Sequence, residues 1–235
     1  VNAILFDPLP YPHPERVVAV RELGTDGAPN GGTFGMYHAF ATRARSFDAV
    51  AVFKSWQPTI TGRGEPERLE GQRVSAGYFR ALSIAPVMGR DFDASDDRLN
   101  GPRAVILSDA AWRRHFQADR AIVGKTVTLD DDSYMVVGIM PAGFDNVLAP
   151  QALLWAPNLL HGGAPQHDRS RTRLSQVTHY FFEGCRHYSP LRTEDDHVFW
   201  NYPVWIREPP PDNSPESLVE FVAAHVPAGS TMLVV

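Results

Sequence analysis

The side chains best suited to chemistry gather late in the chain, where His179, Glu183, Cys185, His187, Asp195, Asp196 and His197 form its only constellation of reactive groups. His179 and Glu183 stand four apart and Cys185 and His187 two apart, so a metal could in principle be gathered by them. The spacing matches no zinc ribbon, no zinc finger and no HExxH helix. A Cys185 nucleophile partnered by His187 is the rival chemistry. Residues two apart on a strand point the same way, however, without bringing thiolate and imidazole into hydrogen-bond register. A metal- or thiol-dependent enzyme centred on His179, Cys185 and His187 is the alternative function class, set against plain structural or surface use of the same residues.

Two further motifs invite a ligand. Asp91, Asp93, Asp96 and Asp97 lie in DFDASDDRLNG, but an EF-hand calcium loop needs glycine at its sixth position and glutamate at its twelfth. Those places hold Asp96 and Pro102. The run reads as an acidic, solvated loop with N-cap aspartates. Gly124-Lys125-Thr126 looks like the end of a phosphate loop, yet the fifth residue before Gly124 is Asp119 and the run leads into a strand. His38 reads as a satisfied histidine at a core boundary. His115 is far from any cysteine or second histidine in sequence and has no metal signature.

The elements that must position these residues follow from periodicity. Four prolines at 8, 10, 12 and 14 favour an extended, semi-rigid and solvated connector over Asp7 to Pro14. Arg16 to Leu23 alternates as a strand, Phe34 to Arg45 as a helix capped by Thr33, and Phe47 to Ser55 as a second strand. Gln57 to Thr61 continues extended before a mixed-charge hairpin tip at Arg63 to Arg68. A strand at Gln72 to Val74 passes through Ser75 into a short helix carrying Tyr78, Phe79 and Leu82. That helix must stop before Pro86, and Gly89 supplies a turn.

Arg103 to Leu107 reads as a buried strand, followed by a helix capped by Ser108 with Ala111, Trp112, His115 and Phe116 on its apolar side. Gly124 to Leu129 and Ser133 to Met140 pair as a hairpin over Asp130-Asp131-Asp132. Ala152 to Ala156 is a strand with Trp155 inward. Phe79, Phe92, Trp112, Phe116, Tyr134 and Val137 are expected to share one core. A helix over Glu216 to Ala224, with Ser214 as cap and Pro215 at its first position, and a strand over Thr231 to Val235 close the chain.

Composition narrows the class. Hydrophobic residues at 43% and charged residues at 21% fit a globular chain. A net charge of −5 gives no basic face, so nucleic acid is not an expected partner. One cysteine permits no internal disulfide. No apolar run reaches the roughly 18 residues that a membrane-spanning helix needs.

The stretch VSAGYFRALSIAPVMGRDF, from Val74 to Phe92, resembles the extracytoplasmic core domain of MacB- and FtsX-type ABC-transporter permeases. So do Leu9 to Val18, Ala104 to Asp109 with Trp112 and Phe116, Ile122 to Leu129, Tyr134 to Pro141, and Gly143-Phe144, all in the family's order. The resemblance weakens after Ala156, where Arg171-Thr172-Arg173-Leu174 has no Lys-Pro-Gly after it.

The resemblance implies an α+β fold, a strand-helix-strand base (porter-like) carrying a small mixed α/β lobe. Residues 1–15 would be a membrane-proximal connector and 16–160 the core domain with its lobe at about 59–144. Residues 161–235, rich in aromatics and histidine, stay unassigned: a divergent second half of the core, an unrelated module, or a stretch read from a rearranged gene. VNAILF at the N-terminus would be the outer end of a membrane helix, or else a plain terminal strand or helix turn. The implied function is non-enzymatic, coupling ATP-driven movement of membrane helices to substrate or partner handling on the extracytoplasmic (periplasmic) face of the cell membrane. No catalytic, cofactor-binding or metal residue and no cofactor are implied. The implied partners are a cytoplasmic ABC ATPase subunit acting through membrane helices absent from this chain, and either a second permease copy or a periplasmic adaptor.

Overall fold

The computed structural model describes residues 11–13, 16–20, 22–23, 29–30, 34–62, 64–98, 100–144, 146, 149–158, 177–180, 191–192, 198–199, 203–206, 219–220, 224 and 228–234. In chain order the first elements are β1 (Val17–Val20), β2 (Glu22–Leu23), β3 (Pro29–Asn30), α1 (Phe34–Arg43), β4 (Phe47–Trp56), β5 (Thr59–Thr61), β6 (Glu67–Arg68), β7 (Gly71–Val74) and α2 (Tyr78–Ala81). There follow β8 (Met88–Gly89), β9 (Ala104–Leu107), α3 (Asp109–Phe116), a 3-10 turn at Arg120–Ile122, β10 (Thr126–Leu129), β11 (Asp132–Ile139) and β12 (Leu154–Pro157). The last strands are β13 (Val177–Tyr180), β14 (Leu191–Arg192), β15 (Val198–Phe199), β16 (Pro203–Ile206) and β17 (Ser230–Val234). The fold is α+β. The chain divides into two compact units, one of Val1–Val52, Ala81–Ser83 and Pro165–Val235, the other of Phe53–Arg80 and Ile84–Ala164.

In the first unit β17 lies between β1 and residues 47–52 of β4, parallel to both, with Val18 opposite Met232 and Ala51 opposite Leu233. The arrangement follows from composition. Strands buried on both faces read as continuous apolar runs, and Val17, Val18, Ala49, Ala51, Met232 and Leu233 are all buried. Phe40 of α1 is fully buried and meets Phe47 edge-on at 6.4 Å. Two polar ties hold one end of this set. Arg16 Nη2 donates to Asp48 Oδ2 at 2.5 Å and also to the Gly229 carbonyl. Thr231 Oγ1 donates to the Ala81 carbonyl at 2.7 Å. Tyr11 is buried, so the proline-rich connector is anchored at that residue and is not solvated throughout.

The second unit is a mixed sheet in the order β4 (residues 53–56), β7, β12, β9, β11, β10, β5, β6, with β8 pairing β11. The β10–β11 hairpin turns at Asp130 and Asp131, both with positive φ (51° and 65°), the geometry that a two-residue primed turn requires. Helix α3 begins at Ser108, whose side chain accepts from the Ala111 amide.

The six residues expected in one core are all buried, but the sheet divides them. Trp112, Phe116 and Tyr134 pack in one cluster with Val105, Leu107, Val136, Ile139, Leu154 and Ala156. Phe79 instead meets Phe92, Phe144 and Trp155 at ring separations of 6.3, 5.9 and 5.4 Å. The cause is the two-residue alternation of side chains along a strand, so Leu154 and Trp155 serve different clusters. Val137 is the extra residue of a bulge where the β9–β11 register shifts between Val136 and Gly138, and it lies outside the Trp112 cluster.

Gly89, expected in a turn, sits in β8 at φ +76° opposite Gly138. A Cβ on Gly89 would enter the Val137 carbonyl, and one on Gly138 would come within 2.6 Å of the Arg90 carbonyl. The two glycines therefore let β8 approach β11 closely, which delivers the next residue, Arg90, to the acidic loop.

Candidate functional site

The acidic run is exposed at Asp93 to Ser95, as a solvated loop would be, but its second half is a built structure, which corrects that part of the sequence reading. Asp96 and Asp97 are fully buried. Arg90 holds Asp96 with two parallel bonds, Nη1 to Oδ2 at 2.5 Å and Nη2 to Oδ1 at 3.0 Å, the fork geometry that suits guanidinium to carboxylate. The Asp93 amide also donates to Asp96 Oδ2 (2.9 Å), and Asp97 Oδ2 accepts from the Ala76 amide (2.9 Å). Asp93 Oδ1 takes the Ser95 hydroxyl and amide. These bonds hold its carboxyl below the usual carboxylate range, the Ser95 hydroxyl acting most strongly. The carboxylates that a cation would need are thus committed to the protein's own donors. Among the described residues no group of three or more His, Cys, Asp or Glu could hold a metal ion.

Asp91 is the exception in charge. Burial pushes its carboxyl up to about 6 from an ordinary 3.8, against the opposing Phe92 amide and Arg80. A folded-state value above the unfolded one means that the ionised group costs stability above about pH 6, and that the cost disappears as pH falls toward 4. The full shift corresponds to about 3 kcal/mol, and solvent around this part-exposed group reduces it to about 1 kcal/mol. Asp91→Asn, which keeps an acceptor for the Phe92 amide, is expected to stabilise the protein by about 1 kcal/mol near neutral pH and by nothing below about pH 4. Urea unfolding at the two pH values measures this, and an equal gain at both would refute it.

Beside this loop lies a buried polar network. Gln72 Oε1 accepts from Asn146 Nδ2 (2.7 Å), Trp155 Nε1 (2.9 Å) and the Tyr78 hydroxyl (3.2 Å). It ties the strand end at Gln72, the first turn of α2 and the loop at Asn146 to the sheet. A cleft of about 230 Å³ is lined by Ser55, Glu70, Gly71 and residues 149–152. Its one charged group, Glu70, already accepts from Gln57 at 2.6 Å.

The other motifs find their places as follows. His38 is exposed on α1, away from the core boundary, and its carbonyl accepts from Thr42 Oγ1. His115 faces the core on α3, with Nδ1 3.9 Å from Glu67 Oε2 and no bond to Nε2. Gly124 precedes strand β10 with φ +89°, a turn and not a phosphate loop. The backbone of His179 lies in β13, opposite Val204 of β16. Glu183, Cys185, His187, Asp195, Asp196 and His197 lie outside the described residues, as do VNAILF, Thr33, Arg63 and Arg171 to Leu174. No helix among the described residues is long and apolar enough to cross a membrane.

The family model described as the MacB-like periplasmic core domain matches residues 5–179. No curated protein matches the chain. Among solved structures, the chain is similar to the extracellular domain of the noncanonic ABC-type transporter YknZ from Gram-positive bacteria, at 17% identity and a TM-score of 0.46, over 59% of this chain and 71% of that one. It is also similar to the periplasmic region of MacB from Actinobacillus actinomycetemcomitans (14% identity, TM-score 0.47, 60% of this chain and 64% of that one). A third is a permease domain from Porphyromonas gingivalis (12% identity, TM-score 0.43, 63% of this chain and 65% of that one).

Proposed function

Since the chain belongs to the MacB-like periplasmic core domain family, an extracytoplasmic part of ABC-type permeases, we propose that it acts as a non-enzymatic coupling element. It passes movement of the permease's membrane helices, driven by a cytoplasmic ABC ATPase, to a substrate or partner outside the cytoplasm. A second permease copy or a periplasmic adaptor is the partner on that side. The observation that carries this reading is the seating of β17 between β1 and β4 in parallel register, with Arg16 bound to both Asp48 and Gly229. A displacement arriving through residues 7–14 meets three strands at once, because Arg16 ties the head of β1 to those of its neighbours. Proline in the segment fixes φ and removes conformations that would absorb the movement. The same seating favours residues 161–235 as a divergent second half of a core whose lobe spans about 59–144.

Replacing Pro8, Pro10, Pro12 and Pro14 with glycine in the full permease is expected to uncouple ATP hydrolysis from transport, with hydrolysis continuing and transport reduced at least about tenfold. Arg16→Ala tests the same path from its other end. Transport at the unmodified rate in both variants removes the mechanical role.

A further inference from the structure

We propose that Lys54, Arg73 and Trp56 form a docking surface for an acidic segment of a protein partner. Lys54 and Arg73 are direct partners across β4 and β7, so their side chains leave the same face of the sheet. Like charges placed opposite each other destabilise a strand pair, and neither cation has a carboxylate within ion-pairing distance among the described residues. Arg103 pairs with Asp132, Arg113 with Asp109 and Arg114 with Glu67, whereas Arg73, like Arg68, Arg80, Arg98 and Arg120, has no ion pair among the described residues.

Arg73 is held in place by something other than charge. Its guanidinium lies over the Trp56 ring at 3.8 Å and 5.4 Å from the Tyr134 ring centre, and Nη2 donates to the Tyr134 hydroxyl at 2.6 Å. Nη1 reaches the Pro157 carbonyl at a long 3.4 Å. The other three of the five guanidinium N–H groups have no acceptor among the described residues. The fork is therefore fixed in direction with donors to spare, which lowers the ordering cost of receiving a carboxylate. Beside it, the exposed Lys54 supplies a second, mobile cation.

Tryptophan, tyrosine and arginine are the residue types that concentrate binding energy at protein interfaces. Together they favour an acidic peptide over a bare anion. The inference is independent of the coupling role, since it concerns what the sheet face receives and not how movement arrives.

The test titrates the isotope-labelled full chain with N-acetyl-tetraglutamyl amide at low and high salt, followed by amide and indole NMR shifts. Shifts concentrated at Lys54, Trp56, Arg73 and Tyr134, and weakened by salt, are expected. Lys54→Glu places a carboxylate where the partner's would sit. It is expected to weaken the peptide about tenfold while raising the melting temperature by about 1–3 °C, since opposite charges now face each other. That pairing of lost binding with gained stability separates a docking site from a structural one. Shifts spread evenly over surface lysines and arginines, or binding unchanged by Lys54→Glu, overturn the proposal. So does binding of phosphatidylglycerol vesicles through these residues in place of the peptide, which would assign the surface to lipid.

Discussion

Arg90→Met is expected to cost about 3 kcal/mol of stability, because it strips the charged partner from a carboxylate that has no access to water. Asp96 is fully buried, and after the change it keeps only the Asp93 amide among the donors described. The methionine is close in volume and reproduces the packing of the arginine stem, so the loss reports the ion pair and not a cavity. Arg90→Lys restores charge without the fork and is expected to recover about half of the loss. Urea midpoints at neutral pH measure both. If Arg90→Met costs less than about 1 kcal/mol, the Arg90–Asp96 pair does not hold the loop and its Asx hydrogen bonds do.

Trp155→Ala is expected to cost about 4 kcal/mol, in the range for removing a large buried aromatic ring. Trp155 is 1% exposed, meets Phe79 at 5.4 Å and Phe144 at 5.5 Å, and donates to Gln72. Trp155→Phe keeps an aromatic ring and drops the donor. Gln72 Oε1 still accepts from Asn146 and Tyr78, so no buried acceptor is orphaned and the expected cost falls to about 1–2 kcal/mol. Equal losses for the two variants would mean that the indole N–H, and not the ring volume, holds this cluster together.

Features set by neighbours in sequence were legible in advance. The β10–β11 hairpin depends on Asp130 and Asp131 tolerating positive φ, and the start of α3 on Ser108. What escaped was decided by pairs that spacing does not reveal. The acidic run was weighed for calcium by counting positions, whereas its shape comes from Arg90 reaching Asp96 and from Ala76 meeting Asp97 twenty-one residues away. The single expected core became separate clusters because the sheet passes between its members, and a bulge at Val137 altered the alternation. Within its short strand Arg73 carries no signal of its own. Its place over Trp56 arises only once β4 and β7 pair. Residues 179–197 offered the reactive side chains, and most of them fall outside the described part of the chain.

The seating of β17 also fixes an order of events during synthesis. Residues 53–164 form their unit with only 81–83 given to the other, and that stretch is complete well before Ser230 emerges. Strands β1 and β4 have no hydrogen-bonded contact with each other except through β17. Ser230 follows Val52 by 178 residues. At roughly 5–20 residues per second, this leaves their edges open for about 10–35 s. For that interval the valine-rich β1 is an unpaired, aggregation-prone edge, and the first unit is the late, vulnerable partner in the birth of this protein.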